Sequence, residues 1–141
     1  MKIDTARLQN YLLDIKSRTI EIEKLLSNNN NEQILSDPWL IRGLKYLLIE
    51  IAEIMANTLT HIITRDKGQT VTGYVDTIIK AGDLSIISES LSKKLKPFFD
   101  FRNSIIHRYW IISDEKLLLL TRENHKDFEL FIDEIKIFMQ K

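Results

Sequence analysis

The sequence predicts an all-α fold, an antiparallel up-and-down bundle of four to five helices that forms one domain over residues 1–141. Apolar residues recur at steps of three and four along most of the chain, which is the spacing of one face of an α-helix. Only four Gly and two Pro occur, and 44% of the residues are hydrophobic, a balance that favours long helices over turn-rich β-structure. The breaks between the apolar segments are short, as expected for neighbouring antiparallel helices.

The first two long helices are predicted from their apolar faces and from the breaks beside them. The first should end near Leu26, because the polar run from Asn28 to Asn31 competes for backbone hydrogen bonds. Asp37 and Pro38 then indicate an N-cap followed by proline at the first helical position, and this helix should last to about Thr64. The core faces are predicted at Leu8, Leu12, Ile15, Thr19, Ile22 and Leu26, and at Leu40, Leu44, Leu47, Ile51, Ile54 and Ile62.

Three further helices complete the predicted bundle. A shorter one should cover residues 71–81, before Gly82. The next should begin near Ser88, and Pro97 predicts a kink or a restart near Lys96, because proline removes a donor and clashes with the preceding turn. The last is predicted from about Asp114 onward as one amphipathic helix.

Composition excludes several classes of function. Twenty basic and twenty acidic residues cancel, so the overall charge indicates neither a nucleic-acid nor a membrane partner. The absence of cysteine excludes a disulfide scaffold, a thiolate metal site and a cysteine nucleophile. The three histidines, His61, His107 and His125, do not have metal-ligand spacing, so no metal and no cofactor are predicted. With no signal-like start and no long uninterrupted apolar run, we expect a cytoplasmic protein.

The stretch most indicative of chemistry runs from Phe99 to Tyr109 and contains the pattern R-x-x-x-x-H-x-Y, formed by Arg102, His107 and Tyr109. A histidine of near-neutral pKa can move a proton to or from a reacting hydroxyl. A guanidinium can neutralise charge on phosphoryl oxygens, and Asn103 can orient the histidine or bind phosphate. The set therefore suits cleavage of a phosphodiester that has a neighbouring 2′-hydroxyl. On one helix Arg102 and His107 diverge by ~140°, so a long side chain or a second subunit must close the gap.

Positive charge is concentrated just before this motif. Between residues 92 and 109 five cations oppose only Asp100, and the candidates for binding an RNA backbone are Lys93, Lys94, Lys96 and Arg108. A solvated face is the alternative for these lysines, and core packing is the alternative to base stacking for the nearby phenylalanines. A second polar stripe follows the long second helix: Arg42, Tyr46, Glu50, Asn57 and His61, with Glu53 alongside. It either pairs with the motif across the bundle or faces solvent or a dimer partner.

These residues resemble the HepT-like branch of the HEPN superfamily. The resemblance rests on Phe101-Arg102-Asn103 followed by His107 and Tyr109, and on a preceding helix that contains Leu91 and Leu95. It extends to the long helix that Arg42 opens and that Ala56-Asn57 and His61 to Ile63 close. Two departures are Arg108, where relatives often have glycine, and Pro97, in a helix that is usually smoother.

The resemblance implies a HEPN-type bundle and a metal-independent endoribonuclease, the toxin of a type VII-like HepT/MNT toxin–antitoxin module. It implies that Arg102 and His107 are catalytic, that Asn103 supports them, and that a homodimer brings motif residues of both subunits to a shared cleft. Inhibition by AMPylation of Tyr109, carried out by a minimal nucleotidyltransferase (MNT) antitoxin, is also implied. The alternative function is a non-catalytic HEPN dimer that binds nucleotide, RNA or a nucleotidyltransferase.

Overall fold

Seven α-helices and no strand make up the part of the chain that the structure describes. The structure is a computed structural model that describes residues 2–106 and 113–141, with side chains up to residue 102 and again from residue 113. The helices are α1 (Thr5–Asn28), α2 (Asn31–Ser36), α3 (Pro38–Asp66), α4 (Tyr74–Asp83), α5 (Glu89–Ile106), α6 (Asp114–Asn124) and α7 (Asp127–Met139). The all-α prediction is confirmed, and the described helices outnumber the four to five expected.

The extra helices arise at two places. Asn30 caps α2, since its side chain accepts from the backbone N–H of Gln33 while the Gln33 side chain accepts from the N–H of Asn30. This capping box starts a helix within the polar run that the sequence analysis took only as a break. The second place is the turn at His125, which separates α6 from α7 where one helix was expected. No Gly or Pro marks that turn.

The predicted apolar faces form the core. In α1 the buried residues are the six that the three-and-four spacing predicted. In α3 Leu44, Ile51 and Ile62 are fully buried, and Leu40, Leu47 and Ile54 pack half-buried against them. Helix α1 packs mainly on α3, and α4 mainly on α5, while α7 contacts both α1 and α5. The bundle therefore brings the middle of α3 close to α4 and α5.

Helix α3 is the one described helix whose length and composition would allow it to cross a membrane. More than half of its most apolar window, 56%, is buried inside the bundle. Packing against α1, α4 and α5 therefore accounts for its apolar character, as it does for the central helix of many bundles.

Helix α5 passes through Pro97 without a restart, so of the kink or restart predicted near Lys96 the restart is wrong. Proline leaves the carbonyl of the residue four positions earlier without its helical donor. That residue is the exposed Lys93, where water can take the place of the missing donor. The start of α5 is as predicted, because the Ser88 hydroxyl accepts from the backbone N–H of Leu91.

Arg122 ties α6 to the end of α1. Its Nη1 and Nη2 donate to the backbone carbonyls of Leu26 and Asn29, each at 3.1 Å, and its Nε donates to the side-chain oxygen of Asn31. The last carbonyls of a helix have no partner within the helix. A guanidinium at this position supplies those donors and places a cation at the negative end of the helix dipole.

Candidate active site around Arg102

Arg102 lies near the end of α5 and faces the middle of α3. Its side chain is only 12% exposed, and its Nη2 donates to Oε1 of Glu53 at 2.8 Å. Glu53 lies in α3 on the edge of the apolar face and remains 42% exposed. A carboxylate at this distance forms a charge-assisted hydrogen bond, which is stronger than a neutral one. Because Glu53 remains partly exposed to solvent, the cost of desolvating this ion pair is lower than for a fully buried one.

A second contact fixes the plane of the same guanidinium. Cζ of Arg102 lies 3.9 Å from the centroid of the Tyr74 ring, a cation–π contact at close range. Tyr74 is the first residue of α4. Its ring in turn lies edge-to-face with the ring of the fully buried Phe99, with centroids 6.4 Å apart and planes at 67°. The arginine is therefore held by one residue from α3 and one from α4.

The Nε atom of Arg102 is buried and has no hydrogen-bond partner among the described residues. A buried donor without an acceptor is costly, and such donors often mark a place where a ligand or a further group completes the network. The guanidinium thus has one nitrogen engaged by Glu53 and one face covered by Tyr74, with its Nε unengaged in the described part of the chain.

The remaining motif residues fall partly or wholly outside the described residues. Asn103 belongs to α5 by its backbone, and its side chain is not among those described. His107, Arg108 and Tyr109 lie outside the described residues. Their predicted roles therefore stay predictions, and Arg102 is the motif residue whose side-chain surroundings lie within the described residues.

The polar stripe of α3 does not act as one surface. The described contact to the motif is made by Glu53, which lies alongside the stripe. Glu50 instead pairs with Arg18 of α1, at 3.1 Å, and Tyr46 is 63% exposed. His61 is buried, and its Nε2 accepts the backbone N–H of Asp4 at 2.8 Å.

Burial lowers the pKa of His61 below its ordinary value of 6.5. The positive charges of Arg65 and Arg7 lower this pKa further, while Asp4 opposes them. The lowered pKa agrees with the geometry, because a ring nitrogen that accepts a hydrogen bond must be unprotonated. His61 is therefore a neutral structural group that holds the start of α1 against α3.

The lysines before the motif lie on the surface of α5. Lys93 pairs with Glu89 at 3.1 Å, and Lys96 pairs with Asp100 at 3.2 Å. Such exposed pairs are weak, and each also offsets one positive charge. Lys94 is exposed and has no ion pair within the described ranges. The local positive charge is thus smaller than the sequence count of cations suggests.

Phe99 is fully buried, and Phe98 and Phe101 pack half-buried against the core. Core packing, the alternative to base stacking, is therefore the better interpretation of these three rings. A cavity of about 480 Å³ lies beside them between α5, α6 and α7, with Leu48 of α3 in its wall. Lys93, Lys94 and Lys116 border it.

Tyr74 contacts Arg102 but was not predicted from the sequence to belong to the site. One aromatic residue after a glycine is a weak signal, and its approach to Arg102 depends on how α4 packs on α5. Glu53 was noted only as a neighbour of the polar stripe. Among the described residues no group of three or more His, Asp or Glu side chains has an arrangement that could hold a metal ion.

Comparison with known proteins supports the fold. A chain of a tri-AMPylated HEPN toxin from Shewanella oneidensis in complex with MNT antitoxin matches with a TM-score of 0.84 at 22% identity, over 93% of this chain and 97% of that one. A chain of a toxin–antitoxin structure with AMP-PNP matches with a TM-score of 0.81 at 21% identity, over 92% of this chain and 97% of that one. YutE, a cytosolic protein of unknown function from Bacillus subtilis, matches with a TM-score of 0.83 at 14% identity, over 99% of this chain and 92% of that one.

No curated protein matches the sequence. At these identities the solved structures establish the shared fold alone. The family model described as "Ribonuclease HepT-like" matches residues 15–135, which includes α3, α4, α5 and the whole R-x-x-x-x-H-x-Y motif. Since this match covers most of the chain, the protein belongs to the HepT-like ribonuclease family.

Proposed function

We propose that this protein is a metal-independent endoribonuclease toxin whose reaction depends on Arg102 and His107. The observation that carries the proposal is the match to the HepT-like ribonuclease family across residues 15–135, which encloses an intact motif. The held position of Arg102 supports it. A guanidinium fixed by Glu53 and Tyr74 needs little reorganisation when negative charge develops on a phosphoryl oxygen.

The proposed reaction uses the 2′-hydroxyl of RNA as the nucleophile. The 2′-oxygen bonds to phosphorus, the bond from phosphorus to the 5′-oxygen breaks, and the products are a 2′,3′-cyclic phosphate and a 5′-hydroxyl. The 2′-hydroxyl loses a proton and the 5′-oxygen gains one. His107 carries out one of these two transfers and water the other, and general acid–base help of this kind contributes ~10²–10⁴-fold. Arg102 binds the scissile phosphate, with Asn103 in a supporting role.

Regulation by a partner is the second part of the proposal. The similar structures include a tri-AMPylated HEPN toxin with MNT antitoxin and a toxin–antitoxin complex with AMP-PNP. We propose an equivalent MNT partner for this chain, with Tyr109 as the AMP acceptor. A phosphate attached two residues after His107 would place negative charge and bulk where the RNA phosphate must bind. A homodimer would bring motif residues of two subunits together and so close the ~140° divergence of Arg102 and His107.

The experiment compares wild type, His107→Ala and Arg102→Lys on one defined RNA and on the DNA of the same sequence, with EDTA present. Wild type should cut the RNA to cyclic-phosphate ends and leave the DNA intact. His107→Ala should bind RNA without cutting it. Arg102→Lys keeps the charge but not the planar set of donors, so its rate should fall much more than its affinity.

Cleavage of the DNA, or full activity in His107→Ala, would refute the mechanism. RNA binding without cleavage by the wild type would favour the non-catalytic binding module instead. A His125→Ala variant is the matched control for histidine loss. Its ring contacts the Thr121 carbonyl within α6, well away from the motif in sequence, so cleavage should persist.

A further inference from the structure

Tyr74 is the residue outside the motif whose position bears most directly on the proposed chemistry. It contacts the Arg102 guanidinium with its face, at 3.9 Å, and its ring lies edge-to-face with the Phe99 ring. Phe99 is fully buried and contacts Phe98, whose ring lies 5.0 Å from that of Phe128 in α7. A continuous row of aromatic rings therefore connects the core to the arginine.

The local structure at the start of α4 fixes this tyrosine. Gly73, the N-cap, has φ +141 and ψ −178, a conformation that residues with a side chain rarely adopt. The hydroxyl of Thr77 donates to the Gly73 carbonyl at 2.7 Å, and the backbone N–H of Thr72 donates to the Asp76 carboxylate at 2.9 Å. These contacts determine where α4 begins, and therefore where the ring of Tyr74 lies.

The two supports of Arg102 differ in their electrostatic effect. Glu53 orients the guanidinium through Nη2 but also neutralises part of its charge. An uncharged ring holds the cation through its quadrupole and leaves the net charge unchanged. A second carboxylate in place of the ring would oppose an incoming phosphate. The tyrosine ring thus restrains the arginine and preserves its attraction for an anion.

We propose that Tyr74 is a positioning residue of the active site, acting through Arg102 by stacking its ring on the guanidinium. This inference rests on the proposed ribonuclease function. With the ring and Glu53 both in place, the side chain keeps one plane, and the buried Nε, which has no partner among the described residues, lies in that plane. Loss of the ring frees the guanidinium to rotate about its bond to Glu53, and misplacement of a catalytic group by about 1 Å can reduce a rate by ~10²-fold.

The kinetic test compares Tyr74→Leu with Tyr74→Phe on the defined RNA. The leucine variant keeps apolar volume but lacks the aromatic face, so kcat should fall by ~10–100-fold with KM little changed. The phenylalanine variant keeps the face and should restore kcat, because no hydrogen bond of the Tyr74 hydroxyl contributes to the proposed role. An unchanged kcat in Tyr74→Leu, or an equal loss in Tyr74→Phe, would overturn the proposal.

A measurement that does not require activity separates this inference from the proposed function. In the full-length protein, the NMR signal of the Arg102 Nε–H, assigned with Arg102→Lys, should be shifted upfield by the ring current of Tyr74. The shift should be retained in Tyr74→Phe and lost in Tyr74→Leu. If the wild type does not cut RNA but the shift behaves in this way, the ribonuclease function is wrong and the positioning of Arg102 stands.

Gly73→Ala provides a second variant in case Tyr74→Leu fails to fold. A Cβ at Gly73 meets no described atom within 4 Å beyond its two chain neighbours, so the substitution acts by straining the backbone at φ +141. It should displace the start of α4 and reduce both the ring-current shift and kcat, with the tyrosine still present. A Gly73→Ala variant that keeps the shift but loses kcat would contradict the proposed route through Arg102.

Discussion

The substitution Gly82→Ala is expected to destabilise the bundle although alanine is the better helix former. Gly82 lies in the last turn of α4, where α4 meets α5. A Cβ built there would lie 2.7 Å from Cβ and 2.8 Å from Oγ of Ser92, and a Cβ cannot rotate away. Ser92 is buried and its hydroxyl donates to the Ile78 carbonyl at 2.7 Å, so displacement of Ser92 also weakens that hydrogen bond.

The size of this destabilisation follows from one stabilising and two destabilising contributions. Alanine gains at most about 1 kcal/mol over glycine in a helix, and less near its end. Overpacking costs about 1–3 kcal/mol, and loss of the Ser92 hydrogen bond adds about 0.5–1.5 kcal/mol. The two costs together come to about 1.5–4.5 kcal/mol, so after the alanine gain the expected net loss in the free energy of unfolding is about 0.5–4.5 kcal/mol. Urea denaturation followed by circular dichroism measures it directly.

Gly43→Ala is the matched control, because Gly43 lies inside α3 and an added Cβ meets no described atom outside its own stretch of helix within 4 Å. It should stabilise by about 0.5–1 kcal/mol. Combining Gly82→Ala with Ser92→Gly removes the atoms that clash, so the effects of the two substitutions should not add. Stabilisation by Gly82→Ala, or simple additivity in the double variant, would refute the close approach of α4 and α5.

Three further outcomes are expected. Arg122→Ala should lower the free energy of unfolding by about 2 kcal/mol. The control Arg7→Ala, which loses only an exposed 3.9 Å ion pair, should change it little. Equal effects of the two substitutions in chemical denaturation would contradict the anchoring of α1 by Arg122. Burial lowers the pKa of His61 in the folded state, so the contribution of His61 to stability is complete above about pH 6.5 and declines as the pH falls through the lowered pKa. Denaturation midpoints measured across this pH range should therefore fall less in His61→Gln than in the wild type. Co-expression with an MNT partner should add AMP mass to wild type and none to Tyr109→Phe, and an unchanged adduct in that variant would exclude Tyr109 as the acceptor.

Helix existence and core faces were predictable where the spacing was regular. All six core positions of α1 were predicted, because apolar residues at regular steps of three and four lie on one face of a helix, and that face is the one that is buried. Helix α2 was missed because the asparagines were taken as helix breakers, although Asn30 and Gln33 have capping-box spacing. The separation of α6 and α7 carries no glycine or proline, so the sequence contained no strong local signal for that turn.

By itself, the sequence determined the residue types that the proposed chemistry needs: an arginine, a histidine and a tyrosine at fixed spacing in one segment. Only the tertiary structure decided what surrounds the arginine. Periodicity specifies which face of a helix is apolar, but it does not specify how two helices are offset when they pack. That offset selected Glu53 rather than Glu50 as the partner of Arg102 and placed Tyr74 over the guanidinium. Contacts between residues far apart in the chain depend on packing of the whole bundle, which no local pattern encodes.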